Sequence, residues 1–110
     1  MAYDEELAER VRALLALDPD IVERRMFGGL AFLIGGHMSV CVSGGGGLLV
    51  RSEPAEADEL LAQPHVEPLV MRGRPLSGWV RVAPPGVSHD AELRRWVRAG
   101  TGYARSLPPK

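Results

Sequence analysis

The side chains best suited to hold an anion are Arg24, Arg25, His37, Arg72 and Arg74, because planar guanidinium groups match carboxylate and phosphate oxygens and neighbouring glycines leave backbone amides open. A second basic set, Arg94, Arg98 and Arg105, is spaced by four and then seven residues, which on a helix makes one stripe. Catalytic sets are harder to assemble. The histidines stand at 37, 65 and 89 and the one thiol is Cys41, so no local pair has zinc-ligand spacing. His65-Val66-Glu67 lacks the Cys-x-x-Cys that completes a zinc deaminase centre. Ser39 and Ser77 lie outside any Gly-x-Ser-x-Gly turn, and Cys41 falls in mid-strand, where a thiol behaves as a small core residue. Gly44 to Gly47 leads into Leu48-Leu49 instead of the Lys and hydroxyl that a phosphate loop needs. These residues predict no metal, no cofactor and no catalytic centre, and direct attention to binding.

The elements that must position them can be read from period and punctuation. Residues 4–17 suit a helix, with Asp4 as N-cap, Glu5 and Glu6 at the positive end of the dipole, and Leu7, Val11, Leu14 and Leu15 on one stripe. From Val22 to Arg51 short apolar runs broken by glycine predict three or four strands, with Gly35-Gly36 closing a tight hairpin. Alternation on the second strand of that hairpin places Met38, Val40 and Val42 on one face. Ser52–Ala62 suits a second helix ended by Pro64; Val66–Met71 and Trp79–Val82 suit two further strands, the first confined to an edge by Pro68. Ser88 is positioned to cap a last helix whose inward side carries Leu93, Trp96, Val97, Gly100, Tyr103, Ala104 and Leu107. The expected architecture is one α+β domain over residues 1–110. It is an antiparallel sheet of five to six strands with helices packed on it, in the order helix, strand cluster, helix, two strands, helix.

Composition agrees with a single folded unit: 110 residues, 45% hydrophobic and 25% charged. A lone cysteine, an acidic start and no apolar run of membrane-spanning length predict a cytoplasmic protein with no membrane span. The net charge of −1 hides an asymmetry of −7 over residues 1–71 against +6 over residues 72–110, which fits an anionic partner or two halves that face each other.

The most specific string is Arg25-Met26-Phe27-Gly28-Gly29. It is followed at matching intervals by Gly36-His37-Met38, Leu48-Leu49-Val50-Arg51, Pro64-His65 and Gly78-Trp79-Val80. In these residues the sequence resembles the N-terminal domain of the TfoX/Sxy proteins, from about residue 7 to residue 107. The resemblance implies a secretion-chaperone-like antiparallel sheet covered by helices, often paired as a dimer. It also implies a connection with regulators of natural competence, whose second, helical domain has no counterpart in these 110 residues. Physically the motif reads as structural, Gly28-Gly29 turning the chain sharply, with Trp79 and Phe27 expected in the core.

Together these readings predict a regulatory or adaptor domain that is not an enzyme. It recognises a protein with an acidic surface, through Arg94, Arg98 and Arg105, and pairs as a homodimer because Leu30–Ile34 has no polar residue to face water. The alternative is a small-ligand or anion binder using Arg25, His37 and the Arg72–Arg74 loop. Nucleic-acid binding by three or so arginines would be weak and salt-dependent.

Overall fold

In the computed structural model, which describes residues 3–26 and 28–109, Asp4 accepts a hydrogen bond from the Leu7 amide at 3.1 Å and starts helix α1 (Glu5–Leu14). The helix stops earlier than its apolar stripe suggests. The Leu15 amide closes back onto Val11 and Arg12, and the Asp18 amide onto Leu15, which turns the chain toward the sheet and leaves Leu17 95% exposed.

Six strands follow: β1 (Ile21–Met26), β2 (Gly29–Ile34), β3 (His37–Val42), β4 (Leu48–Arg51), β5 (Val66–Met71) and β6 (Arg74–Val82). They form one antiparallel sheet in the order β1-β2-β3-β4-β6-β5. The β2–β3 hairpin turns on Gly35 and Gly36 with φ of +58° and +84°, as two adjacent glycines allow. Arg72 and Gly73 also take positive φ, so the segment expected as a loop is a tight turn, and β6 begins at Arg74 instead of Trp79. Pro68 sits on the edge strand, and the register shifts beside it, between Pro68 and Val70.

Between β4 and β5 the helix expected over residues 52–62 shortens to a 3-10 turn at Pro54–Glu56 and helix α2 (Ala57–Leu61). The Ser52 amide donates to the Gly78 carbonyl at 2.8 Å, so this residue continues the sheet, and its buried hydroxyl caps no backbone amide among the described residues. Helix α3 (Asp90–Ser106) is preceded by His89, not capped by Ser88; the Ser88 hydroxyl donates instead to the Pro85 carbonyl at 3.0 Å and closes the 3-10 turn Pro84–Val87.

One face of the sheet contributes Leu30, Phe32, Val40, Val42, Leu48, Val50, Val80 and Val82 to the main core, where they meet Leu7, Val11 and Leu15 from the N-terminal segment and Leu93, Trp96 and Val97 from α3. The other face holds Ala31, Leu33, Cys41 and Leu49, with half-buried Met26, Met38, Leu69 and Trp79 packed over them. Met38 therefore lies opposite Val40 and Val42, not beside them. The cause is a bulge: Phe32 pairs with Val40 but Leu33 with Met38, and the Ser39 hydroxyl, skipped by the pairing, donates to the Phe32 carbonyl at 2.7 Å.

Every residue of β2 is buried within one chain. The side chains of Met26, Met38, Leu69 and Trp79 accomplish on the second face what the sequence reading assigned to a second subunit, so the apolarity of β2 does not itself require a dimer.

Candidate functional site

Packing α3 against α1 leaves a groove of ≈ 380 Å³ between them, and all three arginines of the predicted stripe line it. Leu14, Leu15 and Val97 form apolar walls, while Arg94, Arg98 and Arg105 stand along the α3 side. The arrangement follows from the period of α3. Leu93, Trp96, Val97, Gly100, Thr101 and Ala104 are buried against the sheet and α1, which turns Arg94, Arg98 and Arg105 outward. The Thr101 hydroxyl donates to the Val97 carbonyl at 3.0 Å, and Gly102 adds no side chain to the groove, where even a Cβ would meet no heavy atom within 4 Å.

The three cations differ in what they hold. Arg105 donates through Nη2 to Asp20 Oδ1 at 3.1 Å and through Nε to Asp20 Oδ2 at 3.3 Å, with Asp18 Oδ1 3.6 Å away. No ion pair among the described residues engages Arg94 or Arg98. The groove thus has one end already filled by carboxylates of its own chain and two guanidinium groups without an ion-pair partner among the described residues. The Asp18-Pro19-Asp20 contact joins residues 85 positions apart, and no local pattern in the sequence announces it.

Hydrogen bonding to Arg105 holds the Asp20 carboxyl below its ordinary value of 3.8, against a smaller opposing effect of desolvation. A depressed carboxyl pKa stabilises the fold above its unfolded value and loses that contribution as pH falls through the folded-state value. Carboxyl-detected NMR titration should therefore place the Asp20 midpoint below 3.8 and restore it toward the ordinary range in Arg105→Ala. An ordinary midpoint in the parent protein would mean that the pair does not form in solution.

The residues singled out as an anion site are not gathered in one place. Arg24 and Arg25 alternate on β1, pairing with Ala31 and Leu30, and so point to opposite faces of the sheet. His37 Nε2 is 2.6 Å from the Pro108 carbonyl oxygen, tying the C-terminal segment to the β2–β3 turn. Arg72 and Arg74 flank the β5–β6 turn, reached from the opposite edge of the sheet to β1. None of the five lines the groove between α1 and α3.

The glycine motif has a structural explanation. Gly28 takes φ of +74° in the β1–β2 turn, and at Gly29 a Cβ would fall 2.2 Å from the Val42 carbonyl oxygen, so only glycine lets β2 leave the turn there. Met26, Met38 and Trp79 pack on the second apolar cluster, and Gly78, with φ of +82°, kinks β6 beside Ser52. Trp79 is half-buried, with the Arg51 guanidinium 5.7 Å from its ring centroid; the expectation for Phe27 lies outside the described residues.

Cys41 is 1% exposed, and burial pushes its thiol pKa up to about 11. Only the thiolate reacts readily, so a thiol reagent at neutral pH should modify the native protein far more slowly than the urea-unfolded chain. Equal rates would place Cys41 at the surface. Among the described residues no group of three or more His, Cys, Asp and Glu is placed to hold a metal ion, and no helix is long and apolar enough to cross a membrane.

An open six-stranded antiparallel sheet with helices on one face and glycine-dependent turns at β1–β2, β2–β3 and β5–β6 defines the class of this α+β domain. Residues 13–104 match the family model of the TfoX N-terminal domain, and the chain belongs to that family. No curated protein and no solved structure matches it.

Proposed function

We propose that this chain is a regulatory or adaptor domain that acts by binding another protein, and that the groove between α1 and α3 receives an acidic segment of that partner. One observation carries the reading: Arg94 and Arg98 line the groove without an ion-pair partner among the described residues, while Arg105 beside them already holds Asp18 and Asp20. Guanidinium groups match carboxylates two oxygens at a time, and the Arg105–Asp20 pair displays that geometry at the end of the groove. Leu14, half-buried at the wall of the groove above the buried Leu15 and Val97, adds an apolar contact for a partner helix. Membership in a family associated with competence regulation supports a regulatory role over a chemical one.

The test compares proteins captured from the native host by the parent domain and by R94E/R98E, which leaves the Arg105–Asp20 pair intact. Substitutions at exposed positions usually cost little stability, so the variant should fold and should lose the partner that the parent captures. Undiminished capture by a folded variant would remove the groove as the contact. Capture of nucleic acid alone, abolished by moderate salt, would replace the protein partner with a polyanion.

A further inference from the structure

We propose that β1 pairs with β1 of a second copy, in an antiparallel register centred on Arg24, joining two sheets edge to edge across a two-fold axis. The inference goes beyond the groove reading and does not depend on it.

The two edges of the sheet are built differently. The β5 edge is blunted by Pro68 and by the register shift next to it, two devices that stop a foreign strand from adding. The β1 edge has neither. Its six residues pair with β2 without a break from Ile21↔Ile34 to Met26↔Gly29, and Val22, Glu23, Arg24 and Arg25 are exposed. Gly35-Gly36 closes on the hydrogen-bonded pair Ile34–His37, so alternation along β2 turns Leu33, Ala31 and Gly29 toward β1; the peptide groups of their partners Val22, Arg24 and Met26 face β2, and those of Arg25, Glu23 and Ile21 face outward. The Ile21 N–H is taken by the Asp18 carbonyl at 3.3 Å, and the donors and acceptors of Glu23 and Arg25 stand along the rest of the edge.

What remains as protection is charge, and here the charges complement themselves. A two-fold axis perpendicular to the sheet keeps both copies' helices on one side, which requires a register centred on a residue. Centring on Glu23 would set two glutamates against each other and Val22 against an arginine. With Arg24 at the centre, Glu23 of each copy faces Arg25 of the other on the helix-bearing side, and Val22 faces Met26 on the other side. Both outward-facing Glu23 and Arg25 peptide groups are then satisfied. Arg12 holds the Glu23 carboxylate at 2.7 and 2.8 Å, fixing it on the helix-bearing side, and no ion pair among the described residues engages Arg25. The one unfavourable contact is Arg24 against its own copy at the axis, which keeps the pairing weak and concentration-dependent.

Sedimentation equilibrium across a concentration series tests this. The parent chain should show a monomer–dimer equilibrium. Arg25→Glu, which turns two attractive cross-strand pairs repulsive, should weaken it about ten-fold. Arg25→Pro, which removes an outward N–H without touching the β1–β2 ladder, should weaken it at least as much, while Arg24→Thr should tighten it several-fold. A parent chain that stays monomeric up to its solubility limit overturns the proposal. So does a dimer indifferent to Arg25→Glu and Arg24→Thr, which alter only exposed side chains and remain decisive if the proline variant does not fold. R94E/R98E should leave the equilibrium unchanged, which separates this result from the fate of the groove.

Discussion

Replacing Trp96 with alanine should remove about 3–5 kcal/mol of folding stability, the usual cost of deleting a large buried aromatic and a sizeable share of what a domain of this size possesses. Trp96 is 2% exposed and is the largest fully buried side chain. It lies in the core between α3 and the sheet, with the Arg95 guanidinium 4.8 Å from its ring centroid. The cavity left behind would be walled by neighbours held in strands on one side and a helix on the other, so little collapse can refill it. Trp79→Ala should cost distinctly less, about 1–3 kcal/mol, because that ring is half-buried over the second face. Urea denaturation of both variants checks the ranking, and equal losses would mean that the second face is as tightly packed as the first.

The second large effect is a difference of sign between two glycines of one helix. Gly100→Ala should destabilise by about 1–2 kcal/mol although alanine is the better helix former by about 1 kcal/mol, because overpacking at a rigid contact costs about 1–3 kcal/mol or more. A Cβ at Gly100 would lie 2.5 Å from the Ser39 carbonyl oxygen and 2.6 Å from Val40 Cγ1. The first of these is backbone, already fixed by the bulge at Ser39, so it cannot swing aside. Gly102→Ala meets no heavy atom within 4 Å and should stabilise by about 0.5–1 kcal/mol, the gain in helix propensity alone. Thermal unfolding of the two variants reads the result directly. Stabilisation in both would show that α3 does not approach β3 as closely as described.

Where local chemistry decides the structure, the sequence was sufficient. Two adjacent glycines made the β2–β3 turn, Asp4 capped α1, Pro68 marked an edge, and the spacing of Arg94, Arg98 and Arg105 put them on one side of α3. Distant contacts escaped it. The bulge that moves Met38 to the second face is placed where Gly100, sixty-one residues beyond Ser39, brings α3 against the strand, and strand alternation alone contains no sign of it. Ser88 has the chemistry of a cap but its hydroxyl is claimed by the Pro85 carbonyl, and Ser52, where the second helix was expected to begin, is held in the sheet by its amide bond to Gly78. The groove was half legible for the same reason: its arginines share a helix, but its apolar walls and the Asp18 and Asp20 carboxylates come from the other end of the chain. The −7 and +6 halves, which fitted either an anionic partner or internal contact, meet in this pairing of Asp18 and Asp20 with Arg105, while Arg94 and Arg98 keep charge to spare.

The most direct measurement of the groove's role is an NMR titration with a synthetic amphipathic peptide carrying leucines on one face and glutamates at four-residue spacing beside them. The account predicts shifts confined to the Arg94, Arg98 and Arg105 side chains and to the Leu14, Leu15 and Val97 methyls. It also predicts an affinity that falls with added salt and at least a ten-fold loss in R94E/R98E. Shifts scattered over the surface, or binding that survives reversal of both charges, would contradict it.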